Sequence, residues 1–256
     1  MSKRYLLILI DKQEEMKPTY YYLNKYLQIL DDWMNKNSVG YGVNWIVGME
    51  VAIRAINLGI SSLIFWENIN QEYKYKITTS LKEHLAYLEN FPEKSDISGN
   101  HYLACLMGEV VINSLISGNG SSKFKKALNK FTEEAKKQFE KSGCHFERSP
   151  TYHRLCLEMV AIVYAFTDEA SLKERKILLS IIGNGLTFMK LVSNDKGFLP
   201  IIGDNDSGHV IWFGQNHRRY DFLEDFFKYI NNQELSPQTN LTIWLTAITK
   251  RSKDAL

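Results

Sequence analysis

Along most of the chain apolar residues recur at steps of three and four, and the two-residue alternation of a half-buried strand is rare. The pattern therefore predicts a mostly helical protein. The helical stretches fall into two classes. In 122–141, Phe124, Ala127, Leu128, Phe131, Ala135 and Phe139 make one apolar face with charges elsewhere. Segments 17–36, 72–90 and 171–191 look similar, as helices with one buried and one wet face. In 44–60, 100–117 and 150–166 the chain is apolar nearly all round, apart from one polar stripe. The stripes are Glu50, Arg54 and Asn57; His101, Cys105, Glu109 and Asn113; and Arg154 with Glu158. A helix apolar all round is interior, and a buried charged stripe is costly unless it meets partners or a water-filled cleft.

The two classes alternate strictly from 17 to 191. That order predicts an all-α fold of helical hairpins in two rings, an incomplete α/α toroid whose inner helices aim their stripes at a central cleft. The competing arrangement is an irregular bundle whose stripes pair with one another. Residues 193–209, rich in Gly, Asp and Asn, read as a loop or short hairpin, extending to about 216. Helical patterns resume at 217–232 and 239–250. The whole of 1–256 reads as a single domain.

Asn44, Asn100 and Ser149 stand at the starts of the interior helices and read as their caps, Ser149 with Pro150 at the first helical position. Three such helix starts facing one cleft would favour an anionic ligand, because free amides and helix dipoles both attract negative charge.

The 31 basic and 29 acidic residues nearly balance. The Lys-rich 122–141 stretch spaces its charges with apolar residues, so no nucleic-acid partner is expected. Three cysteines without a C-x-x-C pattern argue against a disulfide framework or a zinc site, and no metal or cofactor is expected. The apolar run before Asp11 is shorter than the roughly 7–15 residues of a secretory leader. The compartment stays open, cytoplasmic by default with periplasmic or secreted as the alternative. No membrane span is expected, since about 18 uncharged apolar residues never run together.

Two helix starts carry candidate chemistry. Asn100 can donate an amide proton to a carboxylate oxygen, and His101 can give or take a proton near neutrality. The ordinary alternative is a cap beside a satisfied histidine. Tyr152 is a candidate phenolic acid/base, its pKa expected to fall at a helix N-terminus near a cation. The ordinary alternative is a buried ring with a hydrogen-bonded hydroxyl. Glu147 and Arg148 read as an ion pair fixing the preceding loop. In GDNDSGH (203–209), Asp204 and Asp206 belong to an Asx-rich turn or a cleft-lining loop. The spacing is not that of a calcium loop, and no nucleotide, serine-hydrolase or zinc-protease motif is present.

In sequence order, GVNWIVGMEVAIRAINL, GNHYLA, HFERSPTYHRLCLE and GDNDSGH resemble conserved blocks of the heparinase II/III-like polysaccharide lyases, from about Asp31 onward. The resemblance implies an α/α toroid followed by a β-sandwich, cleaving an anionic, uronic-acid-containing polysaccharide by β-elimination. It implies that Asn100 and His101 neutralise the uronate carboxylate. It makes Tyr152 the general acid/base, with His153 beside it as a supporting or substrate-contacting group. Arg54, Arg148 and Arg154 would meet the polymer's anionic groups, with Glu50, Asp204 and Asp206 also lining the substrate site. Two features depart from the pattern. His209 follows Gly208 where the family commonly has Arg, and the chain ends at Leu256 before any sandwich. A separate β-sandwich chain is therefore an expected partner, a truncated or fragmentary form being the other option. Two rival functions remain: a non-catalytic anionic-glycan-binding module, and an inverting glycosidase using carboxylates such as Glu50 and Asp204.

Overall fold

The computed structural model describes residues 18–233 and 237–250. The apolar run before Asp11, on which the reading of no leader rests, lies outside the described residues. Nine α-helices are present among the described residues: α1 (Thr19–Lys36), α2 (Gly48–Phe65), α3 (Gln71–Asn90), α4 (Asn100–Ser117), α5 (Ser122–Gln138), α6 (Pro150–Phe166), α7 (Leu172–Val192), α8 (Asp221–Ile230) and α9 (Asn240–Lys250). The fold is all-α. The one extended pairing among those residues is a bridge between Phe139 and His145. Residues 193–220 form a loop without regular structure, the first of the two alternatives for that stretch.

The predicted alternation is visible in the packing. The interior helices form a row, α2 on α4, α4 on α6, and α6 on α8 and α9. The amphipathic helices cover it: α3 lies on α2 and α4, α5 on α4, and α7 on α5 and α6. Close approach within the row needs a missing side chain. A Cβ on Gly108 of α4 would fall 2.9 Å from that of Ala52 on α2 and 2.7 Å from Leu88 Cδ1 on α3, so only glycine fits. Helix α2 is by length and composition apolar enough to cross a membrane, and 56% of its residues are buried inside the protein.

The helix ends show where local sequence sufficed. Asn70, Ser121 and Ser149 each accept a backbone N–H from three residues on, the ordinary N-cap bond. The other two expected caps shift. Asn44 sits in a 3-10 turn, Val43–Trp45, and α2 begins only at Gly48. Asn100 is the first helical residue of α4, preceded by Gly99 at the cap. Neither Val47 nor Gly99 offers a cap side chain, so both helices must find acceptors elsewhere.

Past the first turns of their helices, the charged residues of the polar stripes do not converge on one cleft. Arg54 leaves α2 toward α1 and α3: its guanidinium lies 4.8 Å from the ring centres of both Trp33 and Trp45, and Nε donates to His84 Nε2 at 3.1 Å. Burial lowers its pKa. Glu109 meets Lys130 of α5 at 3.0 Å. Arg154 and Glu158 pair with each other at 2.8 Å and with the 208–211 loop. The stripes thus pair with their neighbours. A buried charge that finds a partner within its own packing layer avoids the cost of facing an empty interior.

Candidate active site

Every residue of α6 except Tyr152 is buried. On α4, His101 is the one exposed residue. These two side chains open from mostly buried helices, each in its first turn, and a run of polar contacts joins the ends of α2, α4 and α6.

The run begins at α2, where Glu93 Oε2 accepts the Met49 N–H at 3.0 Å. The same oxygen lies 3.0 Å from His101 Nδ1. Next along the edge, Glu147 accepts the Asn100 backbone N–H at 2.8 Å and its Nδ2 at 2.7 Å. Two residues later Ser149 caps α6, its hydroxyl bonded to the Asp204 carbonyl oxygen at 2.6 Å. Thr151 donates to the same oxygen at 3.0 Å. Tyr152 then points its hydroxyl at Asp206 Oδ2, 3.4 Å away. Asx-turn bonds shape the loop itself, Asp206 Oδ1 accepting the Gly208 N–H at 2.9 Å.

Two consequences follow from this geometry. First, the N-termini of α2 and α4 are not open anion sites, because Glu93 and Glu147 already occupy them, as charge at helix N-termini favours. Second, the Tyr152 phenol is pushed up from its ordinary value near 10, not down. Partial burial raises it first, then the charges of Asp206 and Asp204, with Glu147 contributing further. The cation expected near it does not lie there: Arg148 is exposed and pairs with Glu140 at 3.0 Å rather than with Glu147.

Asn100, His101, Tyr152, Asp204 and Asp206 therefore share one edge. Glu50 is exposed in the first turn of α2, at the same end. Others expected at the substrate lie elsewhere. His153 is fully buried, with Nδ1 accepting the His145 N–H at 3.1 Å and Nε2 bonded to the Gly185 carbonyl at 3.1 Å. Burial holds it neutral, with a pKa down at about 4. No atom of that ring is left to touch a ligand, and its place is between α6, α7 and the 139–149 loop. Arg154 is equally buried, and Arg54 is enclosed by two tryptophan rings. All three follow from the interior character of their helices, since a polar side chain deep in such a helix is spent on packing partners. Glu93 and the role of Glu147 were missed. The available signal was an α2 start with no Ser, Thr, Asp or Asn at its cap, which requires a borrowed acceptor.

Chemically the edge offers a neutral phenol, an imidazole oriented by a carboxylate, an amide held by a carboxylate, and two loop carboxylates able to accept sugar hydroxyls. Against known proteins, a family model described as Heparinase II/III N-terminus matches residues 15–178. The matched span holds Asn100, His101 and Tyr152 and stops before the Asp204–Asp206 loop. No curated protein and no solved structure matches the chain.

Proposed function

The chain belongs to the heparinase II/III N-terminal family, and from that premise we propose that it is the helical part of a polysaccharide lyase that cleaves uronate-containing chains by β-elimination. In this reading the hairpins form part of an incomplete α/α toroid, and a β-sandwich, on a separate chain or otherwise, completes the site. The observation that carries the proposal is that His101 and Tyr152, each in the first turn of a mostly buried helix, both reach solvent on one polar edge.

Elimination breaks C5–H and C4–O4 and forms a C4=C5 double bond. With Nδ1–H donated to Glu93, the His101 lone pair lies on Nε2, suited to take the C5 proton. The charge that develops on the uronate carboxylate is met by the second N–H of the Asn100 amide, the first being held by Glu147. Tyr152, kept protonated by partial burial and then by its acidic neighbours, gives its proton to the departing O4. Asp204 and Asp206 accept hydroxyls of the sugar.

The test is incubation with a panel of uronate polymers, reading the ultraviolet absorbance of unsaturated uronate. The expected result is product from the wild type, and its loss in Tyr152→Phe and His101→Gln with polymer binding retained. Absence of unsaturated product from every polymer, with a sandwich domain supplied, overturns it. A second reading, a glycan-binding module without turnover, draws support from Glu93 and Glu147 filling the helix ends. Binding without product, unaffected by Tyr152→Phe, would select it.

A further inference from the structure

Away from the polar edge, a groove of about 410 Å³ runs between the end of α5 and the middle of α7. Its apolar lining is Phe139, Ile177 and Ile181, and three lysines, Lys136, Lys141 and Lys176, stand around it. On α7, Lys176, Ser180 and Asn184 follow at steps of four and so share one stripe, beside the parallel stripe of Ile177 and Ile181. Neither Ser180 nor Asn184 spends its side chain on a protein partner among the described residues.

The far wall is the turn after α5, and its shape is fixed. Glu140 N–H bonds to the Cys144 carbonyl at 2.8 Å, and Gly143 N–H to the Glu140 carbonyl at 2.9 Å. Gly143 has φ +85°, and a Cβ there would fall 2.2 Å from the Asn184 carbonyl oxygen. Only glycine allows this turn to press against α7.

The charge balance is positive. Lys136 is paired with Glu133 at 3.1 Å, but Lys141 and Lys176 have no ion pair among the described residues. The lining's carboxylate, Glu140, is committed to Arg148.

We propose that this groove binds an anionic saccharide unit, a carboxylated or sulfated pyranose. Lys141 and Lys176 take the anionic group. Ser180 and Asn184 bond to ring hydroxyls, and the C–H face of the ring lies on Ile177, Ile181 and Phe139. The volume falls in the ordinary range for small-ligand sites, roughly 300–1,000 Å³. Choosing a saccharide over other small anions rests on the lyase reading above. The groove shares no residue with the Tyr152 edge, so binding here and turnover there are separable.

The experiment is calorimetric titration at low salt with a sulfated uronate tetrasaccharide. The proteins compared are wild type, Tyr152→Phe, Asn184→Ala and the double variant Lys141→Glu/Lys176→Glu. All four positions are at least partly exposed, and matched thermal melts check folding. The proposal expects unchanged affinity in Tyr152→Phe, weakening in Asn184→Ala, and about tenfold weakening in the double variant. It is overturned if the wild type does not bind, if charge reversal leaves affinity unchanged, or if Tyr152→Phe abolishes binding. It is also overturned if inorganic sulfate or an acidic peptide of equal charge binds as tightly. Binding in the groove with no elimination on any polymer would remove the lyase reading alone.

Discussion

Glu147 holds Asn100 twice, accepting its backbone N–H at 2.8 Å and its side-chain Nδ2 at 2.7 Å. One carboxylate thereby closes the N-terminus of α4, which Gly99 leaves uncapped, and fixes which end of the amide faces it. Only the NH₂ end can donate to a carboxylate, so the amide cannot flip while Glu147 is ionised. Glu147→Gln removes that bias, because a glutamine amide meets either face of Asn100. We expect a loss of about 1–2 kcal/mol, as for a charge-assisted bond made neutral. In a thermal melt that is a fall of roughly 2–8 °C for a chain of this size. In the elimination assay kcat should drop while Glu147→Asp recovers part of it. An unchanged melting temperature and unchanged kcat would refute both roles.

Arg154 and Glu158 make a different test, because their side chains are 1% and 0% exposed. Glu158 Oε2 takes Arg154 at 2.8 Å, and Oε1 accepts the N–H groups of Val210 and Ile211, each at 3.0 Å. Arg154→Met leaves a buried carboxylate without its cation and should cost about 3–5 kcal/mol in urea unfolding. Replacing both residues by apolar ones removes a buried ion pair's desolvation cost in many proteins, but here it would orphan two loop amides. The double variant Arg154→Met/Glu158→Met should therefore stay destabilised, with faster amide hydrogen exchange at Val210 and Ile211. Recovery to wild-type stability would show that the loop does not depend on this carboxylate.

The same two examples explain what the sequence could and could not reveal. Start and end of α6 were legible because Ser149, Pro150 and an unbroken apolar run are local signals acting within a few residues. The alternation of wet and dry helices was legible for the same reason. The start of α2 was not, since its acceptor, Glu93, lies 44 residues away from Met49. Glu147 was assigned to Arg148 as its chain neighbour, yet its partner Asn100 is 47 residues away. Arg54 looked like a cleft residue because periodicity gives a face without saying what covers it, and His153 because the family resemblance sets it beside Tyr152. Trp33 and Trp45 cover Arg54, and α7 covers His153.

Acid should expose a cost of those buried histidines. Burial lowers the pKa of His84 to about 4, of His145 to about 3 and of His153 to about 4, each kept neutral by packing. Unfolded, each titrates near 6.5. Between that value and the folded pKa the unfolded chain binds more protons, so stability falls as pH falls. It is fully present above about 6.5 and declines down to about 4, and to about 3 for His145. The slope is up to about 1.4 kcal/mol per pH unit for each group. Urea unfolding at pH 7, 6, 5 and 4 should show this decline. His153→Gln should flatten the slope whatever it does to stability at pH 7, and an unaltered slope would contradict a neutral buried His153.

Tyr152 should carry the opposite charge effect. Its hydroxyl meets Asp206 at 3.4 Å, and the Asp204 carbonyl is pinned by Ser149 and Thr151, so the loop holds two carboxylates close to the phenol. A phenolate there would face like charge, which is why the pKa stands above its ordinary value beyond the part due to burial. Asp206→Asn removes one full charge, and its amide oxygen can still accept the Gly208 N–H, so the loop should keep its shape. The phenol should then ionise at lower pH than in the wild type. The observable is nuclear magnetic resonance of ring-labelled tyrosine, with Tyr152→Phe identifying the signal. The enzymatic counterpart follows from the proposed acid role. Activity must fade at alkaline pH as the proton is lost, and in Asp206→Asn that alkaline limb should move down in pH together with the Tyr152 signal. If the signal moves and the limb does not, Tyr152 is not the acid. If neither moves, the carboxylates do not govern the phenol.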